Sequence, residues 1–258
     1  MPHDQKLGRV QLVGAGPGAA DLLTIRALRA IENAQALLYD ALIPDEILAL
    51  APRACVKIQT GKRAGRASMQ QATINRLMLR LARRGLRVVR LKGGDPSIFG
   101  RVGEELAFLQ GHGVETEVVP GVTAACAAAA QFGFPLTHRG EARRVVFATA
   151  RTRDGCLVDD WRSAADPEAT LAIYMGAGQA DAVFAGLISA GRSADTPVII
   201  IENAGRPETR CFTGTLSTPA DEIGPGLLGP ALILVGEVAR RVTPMDSQMV
   251  ELTRRHAK

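Results

Sequence analysis

The sequence predicts an α/β protein in two parts, the first built on a mostly parallel sheet and the second on a mixed one. Three observations carry that reading. From Gly8 onward, short apolar runs rich in β-branched residues alternate with helical patterns, as in strands joined by crossover helices. Two of these strands run straight into glycine-rich turns, Gly14-Ala15-Gly16-Pro17-Gly18-Ala19 and Gly93-Gly94-Asp95-Pro96, and such junctions imply a ligand crevice at the carboxyl ends of the strands. Pro120-Gly121 then breaks the pattern, and the glycine and proline density beyond it suggests a partly antiparallel sheet. The expected division is 8–121, 122–243, and a polar, basic tail over 244–258.

The elements follow in order. Val10 to Val13 is the first strand, and a helix is expected over Asp21 to Ala34, capped by Asp21, with Leu22, Ile25, Leu28 and Ile31 as its inner stripe. Ala36 to Tyr39 is the second strand, ending in Asp40. Val56 to Ile58 is the third, followed by the basic loop Gly61-Lys62-Arg63-Ala64-Gly65-Arg66. Ser68-x-x-Gln71 reads as a capping box for a helix with Ile74, Leu77, Met78 and Leu81 inward, Arg76, Arg80, Arg83 and Arg84 on a solvated face, and Gly85 as its stop. Leu86 to Leu91 is a buried strand. Arg101, Glu104 and Glu105 open the helix after it, the two carboxylates suiting its N-terminal dipole. Val114 to Val119 is the fifth strand. A helix of small residues then spans Val122 to Ala130, permitting close approach to another backbone or to a ligand. The later strands are expected near Val145–Ala148, Leu171–Met175, Val198–Ile201, Arg210–Phe212 and Leu232–Val235, with His138 structural and Trp161 in the core.

Composition excludes several classes. The chain is 47% hydrophobic and 22% charged, and no apolar run approaches the roughly 18 residues that cross a bilayer. Met1 to Lys6 is too short and polar for a secretory signal. Cys55, Cys126, Cys156 and Cys211 are scattered, as are the four histidines, so a reducing cytoplasm and no metal are expected. The net charge of +5 suits a polyanionic partner. With 4% aromatic residues, no lysine-rich run and no finger motif, a multiply carboxylated small molecule fits as well as nucleic acid.

Taken together and in this order, several motifs make the chain similar to the tetrapyrrole methylase family, and most to its members that act on uroporphyrinogen III. They are Val13-Gly-Ala-Gly-Pro-Gly18, Leu38-Tyr-Asp40, Gly61-Lys-Arg63, Val89-Arg-Leu-Lys-Gly-Gly-Asp-Pro96, Phe99-Gly-Arg101 with Glu104-Glu105, and Val119-Pro-Gly-Val-Thr-Ala-Ala125. Pro135-Leu-Thr-His-Arg139, Ile173-Tyr-Met-Gly176, Glu202-Asn-Ala204 and Gly229-Pro-Ala231 complete the set. The resemblance implies two α/β domains with a ligand cleft between them, S-adenosylmethionine as methyl donor, and a cytoplasmic homodimer with no membrane or nucleic-acid partner. It implies donor contacts at Pro17, Gly93, Gly94, Asp95, Ile98, Thr123, Ala124, Met175, Ala204 and Ala231. Acid–base positions fall on Asp40 and Lys62, and tetrapyrrole contacts on Arg101, Glu104, Arg139 and Met175, with Arg101 and Glu104 also near the chemistry. The implied reaction is the double C-methylation of uroporphyrinogen III, at C2 and C7, to precorrin-2. Four places depart from the family pattern: Ser97 stands for a phenylalanine, Val102 for a glycine, Ala148-Thr149-Ala150-Arg151 for Thr-Gly-His, and Gly205 for a threonine.

Other readings stand beside these. Asp40 also reads as a turn residue, and Lys62 as a solvated charge. Gly14-x-Gly16-x-x-Ala19, with Asp40 about twenty residues on, satisfies the dinucleotide fingerprint of an NAD enzyme, although Pro17 sits inside the turn and the Gly93-Gly94 turn goes unused. A same-fold methylase of a corrinoid precursor, diphthine or ribosomal RNA is a second alternative, and a non-catalytic nucleotide-binding regulator a third.

Overall fold

Short, largely apolar strands, the central ones buried on both faces, build the first half of the molecule. The computed structural model describes residues 7–61, 69–151, 158 and 160–242 and divides into two units, the first ending at Thr123 and the second beginning at Ala124. In the first unit β1 (Val10–Gly14), β2 (Ala36–Tyr39), β3 (Val56–Gln59), β4 (Val88–Lys92) and β5 (Thr116–Val119) form a sheet of order β3-β2-β4-β1-β5. Every pairing is parallel, with Val10 opposite Val88 on one side and Thr116 on the other. Successive side chains leave a strand on opposite faces, and the core divides accordingly. Val13, Leu37, Val89 and Leu91 pack with Ile31 of α1 (Ile25–Glu32) and Ile47 of α2 (Asp45–Ala49). Leu12, Leu38 and Val88 pack instead with Met78 of α3 (Gln71–Arg83) and Leu109 of α4 (Val102–Gln110).

Two local expectations are corrected here. The first helix starts at Ile25 and not at Asp21, because the Thr24 hydroxyl accepts the Ala27 amide at 3.1 Å and supplies the N-cap. That phase turns Ala27, Ala30 and Ile31 inward and leaves Ile25 exposed. Before it, Ala20–Leu22 forms one 3-10 turn that carries Asp21. At α3 the N-cap position is Gln70, without a side-chain cap; Ser68 lies outside the described residues. The expected arginine face is present, with Arg76, Arg80, Arg83 and Arg84 exposed, and Gly85 ends the helix at φ +76°.

The second unit carries β6 (Arg144–Thr149), β7 (Ala169–Tyr174), β8 (Pro197–Glu202), β9 (Arg210–Thr215) and β10 (Ala231–Val235) in the order β6-β7-β10-β8-β9. Only β6–β7 among its pairings is parallel, so the mixed sheet expected from the sequence is observed. The alanine-rich α5 (Ala124–Gln131) buries Ala125, Ala128 and Ala129 against Ala172, Ile199, Ile201, Leu232 and Leu234. The opposite face is covered by α6 (Ala180–Ser189) and the one-turn α7 (Ala220–Ile223). Trp161 is buried beside Gly186 of α6, its indole nitrogen donating to the Val158 carbonyl at 3.0 Å.

Four glycines fix how closely the strand ends of the first unit approach one another. A Cβ on Gly14 would stand 2.7 Å from both the Gly94 oxygen and the Gly121 nitrogen, and a Cβ on Gly121 would stand 2.9 Å from the Gly14 Cα. Gly16 and Gly94 close the junction as a two-hydrogen-bond bridge, with N···O distances of 3.2 and 2.7 Å. Gly121→Ala should therefore lower stability by about 1–3 kcal/mol, the usual cost of forcing extra volume into a packed site. Urea unfolding checks it as a lower midpoint at unchanged slope.

Candidate functional site

All five strands of the first sheet are parallel, so their carboxyl ends lie on one edge, and the loops leaving that edge carry most of the residues singled out by sequence. Gly93 and Gly94 follow β4. Gly94 has φ +66°, and Gly93 is exposed, with only Leu42, at 3.7 Å, near the place its Cβ would take. That leaves main chain open to a ligand. Asp95 does not project a free carboxylate from this turn. One oxygen accepts the Ser97 amide at 2.8 Å and the Ser97 hydroxyl, and the other accepts the Gly121 amide at 2.9 Å. Burial would raise its pKa, but those hydrogen bonds outweigh it and hold Asp95 below the usual carboxylate range. Asp95 thus ties the β4 turn to the β5 loop, where Thr123 is buried. Ser97, one of the departures from the family pattern, supplies part of that tie.

Arg101 and Glu104 come together as expected. Arg101 is the N-cap of α4 with φ +58°, and its Nε and Nη2 donate to the two Glu104 oxygens at 2.8 and 2.7 Å. Both side chains are 53% exposed. The Glu104 hydrogen bonds raise the Arg101 pKa further, so this guanidinium is a permanent cation. Glu104 takes the Nε–Nη2 side of the guanidinium, and its Nη1–Nη2 end has the geometry to pair with a second carboxylate.

Sequence reasoning missed the group behind this edge. Val88, Arg90 and Lys92 share one face of β4, and the two cations are 3% and 4% exposed. Glu105, with no exposure at all, lies between them: Arg90 Nε is 3.3 Å from its Oε1, and Lys92 Nζ is 3.0 Å from its Oε2. Gln71 of α3 donates to the same carboxylate at 3.0 Å and to Asn75 at 2.9 Å. Arg90 Nη2 is paired with Asp40, the residue just after β2, whose Oδ1 also lies 3.4 Å from the Thr60 hydroxyl. Burial and the neighbouring Arg90 depress the Lys92 pKa, and Glu105 only partly opposes them. The available signal was the pattern Arg-x-Lys inside a strand that otherwise reads as buried. Lys62, the other expected acid–base residue, lies outside the described residues.

In the second unit Met175, Ala204 and Ala231 fall at or near strand ends. Met175 follows β7 with φ +58° and is 53% exposed. Asn203 follows β8 with φ +54°, next to the buried Ala204, and Ala231 begins β10. Ala124 begins α5, where the neighbouring Ala125 amide donates to the Tyr174 hydroxyl at 3.3 Å. Arg139 is exposed at the tip of a turn closed by two hydrogen bonds between the main chains of His138 and Ala142. Glu202 was not anticipated. It is 2% exposed and accepts the Leu228 and Gly229 amides at 2.6 and 2.5 Å and Arg210 Nε at 2.6 Å. Burial alone would raise its pKa; the Gly229 and Leu228 amides and Arg210 reverse that and lower it.

Phe99, Arg101, Met175 and Asn203 are the non-glycine residues with positive φ among the described residues, and all four lie in these loops. Such conformations cost energy and concentrate at functional sites. Also among the described residues, no group of three or more His, Cys, Asp or Glu side chains is arranged to hold a metal, and no helix is long and apolar enough to cross a membrane.

The sequence model of the Tetrapyrrole (Corrin/Porphyrin) Methylases matches residues 9–220. A siroheme synthase of Chromobacterium violaceum is 45% identical over 234 residues, 90% of this chain and 50% of that protein. Siroheme synthase 3 of Aeromonas hydrophila is 47% identical over 92% of this chain and 50% of its own length. The chain thus spans about half the length of these curated relatives. Among solved structures, a uroporphyrin-III C-methyl transferase from Thermus thermophilus, complexed with S-adenyl homocysteine, is 42% identical with a TM-score of 0.78, over 91% of this chain and all of that one. A cobalt precorrin-4 methyltransferase is 30% identical with a TM-score of 0.79, over 90% and 95% of the two chains.

Glu105→Ala leaves two buried cations without their shared carboxylate and should cost about 3–5 kcal/mol in chemical unfolding. Glu202 has a depressed folded pKa, so its contribution is complete above the unfolded value of about 4.3 and lost as pH falls through the folded one. Stability measured from pH 6 downward should therefore fall less steeply below about pH 4 in Glu202→Gln than in the parent chain.

Proposed function

The chain belongs to the tetrapyrrole methylase family, and from that premise we propose that it transfers methyl groups from S-adenosylmethionine to two ring carbons of uroporphyrinogen III, C2 and C7, giving precorrin-2. The observation that carries this reading is the exposed Arg101–Glu104 pair at the N-terminus of α4, the helix that follows the open Gly93-Gly94 turn along the chain. The relatives named siroheme synthase and the Thermus thermophilus C-methyl transferase support both the substrate and the donor.

Residues of the chain fit that donor. Gly93 offers main chain with no side chain over it, and the space where its Cβ would project stays open apart from Leu42. We assign donor contacts to Pro17, Gly93, Gly94, Asp95, Ile98 and Thr123 in the first unit and to Ala124, Met175, Ala204 and Ala231 in the second. Asp95 acts through its main chain, since its carboxylate is engaged within the loop. S-Adenosylmethionine supplies a methyl group made electrophilic by a sulfonium. The protein's part is to hold the reactants in reacting geometry, exclude water and move a proton.

Arg101 and Arg139 hold carboxylates of the eight-carboxylate substrate, Arg101 with its fork already oriented by Glu104. Arg101 is too basic to accept a proton. Both Glu104 oxygens already accept from it. Asp40, held from behind by Arg90 and 33% exposed, is better placed to take the proton that leaves the macrocycle after methylation. Lys62 completes the assignment as a clamp or proton donor. The expected assembly is a homodimer, on resemblance alone. The expected setting is a reducing cytoplasm, which the scattered cysteines support.

Incubation with uroporphyrinogen III and labelled S-adenosylmethionine should give a product heavier by two methyl groups, read by mass spectrometry. Arg101→Ala should abolish that gain while leaving donor affinity unchanged. A product without added methyl groups from the parent chain, or near-normal turnover by the variant, would overturn the assignment.

A further inference from the structure

Arg90 is a costly residue for its place. It stands in the central strand of a parallel sheet at 3% exposure, one position from Leu91 and on the same face as Val88. A buried ion pair there is commonly matched or exceeded in stability by well-packed apolar residues, so cohesion of the core does not account for it. Its contacts point elsewhere. Each nitrogen of the guanidinium has its own acceptor: Nε has Glu105 at 3.3 Å, Nη1 the Leu91 carbonyl at 3.3 Å, and Nη2 the Asp40 carboxylate. Glu105 is in turn held by Lys92 at 3.0 Å and Gln71 at 3.0 Å. The planar fork is therefore fixed on its buried side and offers one arm outward to Asp40, which among the described residues also meets the Thr60 hydroxyl at 3.4 Å.

We propose that Arg90 is a positioning residue: anchored by Glu105, it sets the orientation of the Asp40 carboxylate at the end of β2 and acts on methyl transfer only through Asp40. This rests on the function proposed above. Glu105 also follows Glu104 directly in α4, so one helical turn sets Asp40 through its inward carboxylate and Arg101 through its outward one. The proton acceptor and the carboxylate-binding arginine thereby share one rigid reference.

Arg90→Lys tests this. A lysine keeps the charge next to Glu105 but has no planar fork to serve both carboxylates at once. With uroporphyrinogen III as substrate, kcat should fall about tenfold or more. KM and the dissociation constant for S-adenosylmethionine should stay within about twofold, a split that loosening of the fold would not give. In an Asp40→Asn background the same change should add less than its full effect, because the two act as one unit. If Arg90→Lys does not fold, Glu105→Asp takes its place; it keeps the charge, shortens the anchor, and should show the same split. The proposal is overturned if a folded variant keeps kcat within about twofold of the parent, if the loss falls on donor affinity, or if it adds in full to that of Asp40→Asn. An inactive parent chain would instead sink the proposed function, so the two failures are distinct.

Discussion

The first unit is arranged around one carboxylate that water does not reach. Glu105 sits between two cations of β4 and accepts from a glutamine of α3. Removing opposite charges from water is expensive, and only a fully satisfied set of partners makes it tolerable. That condition holds α4 against the sheet and turns Gln71, with Asn75 behind it, toward the carboxylate. Asp40 is the end of the chain of contacts that meets solvent, at 33% exposure. The Asp40 carboxylate is in this sense the visible end of an interior charge network.

Much of this was legible in the sequence, and for physical reasons. Short apolar runs gave the strands, and the glycine-rich junctions gave the turns at their carboxyl ends, because both patterns are imposed by backbone sterics that act locally. The Arg101–Glu104 pair was readable from its spacing of three on a helix. Arg90 and Lys92 were not readable as buried, since charges are buried only when remote partners meet them, and Glu105 is 15 residues from Arg90. Glu105 itself was read only as suiting the helix dipole, together with Glu104, although Glu105 is buried and Glu104 exposed. The start of α1 was misplaced because Asp21 and Thr24 are both good caps, and the hydroxyl that reaches an amide decides between them.

The left-handed backbone at Phe99, Arg101, Met175 and Asn203 was equally beyond reach, because none of these residues is a glycine. Such a conformation persists only where surrounding contacts over-determine it. For Arg101 they are the bidentate grip of Glu104 and the helix it caps. For Asn203 they are its backbone hydrogen bond from the amide to the Pro230 carbonyl and the adjoining Glu202, which holds the Leu228 and Gly229 amides. Side chains at these points project where a relaxed backbone would not send them.

Gly14, Gly94 and Gly121 each occupy the space another would need for a side chain. A mutational walk through this junction is therefore blocked at its first step in most directions, since a single methyl group at Gly14 or Gly121 meets backbone that has nowhere to retreat. The rim is freer, since Ser97 is exposed and Val102 only half-buried, so a larger side chain there meets solvent before it meets main chain.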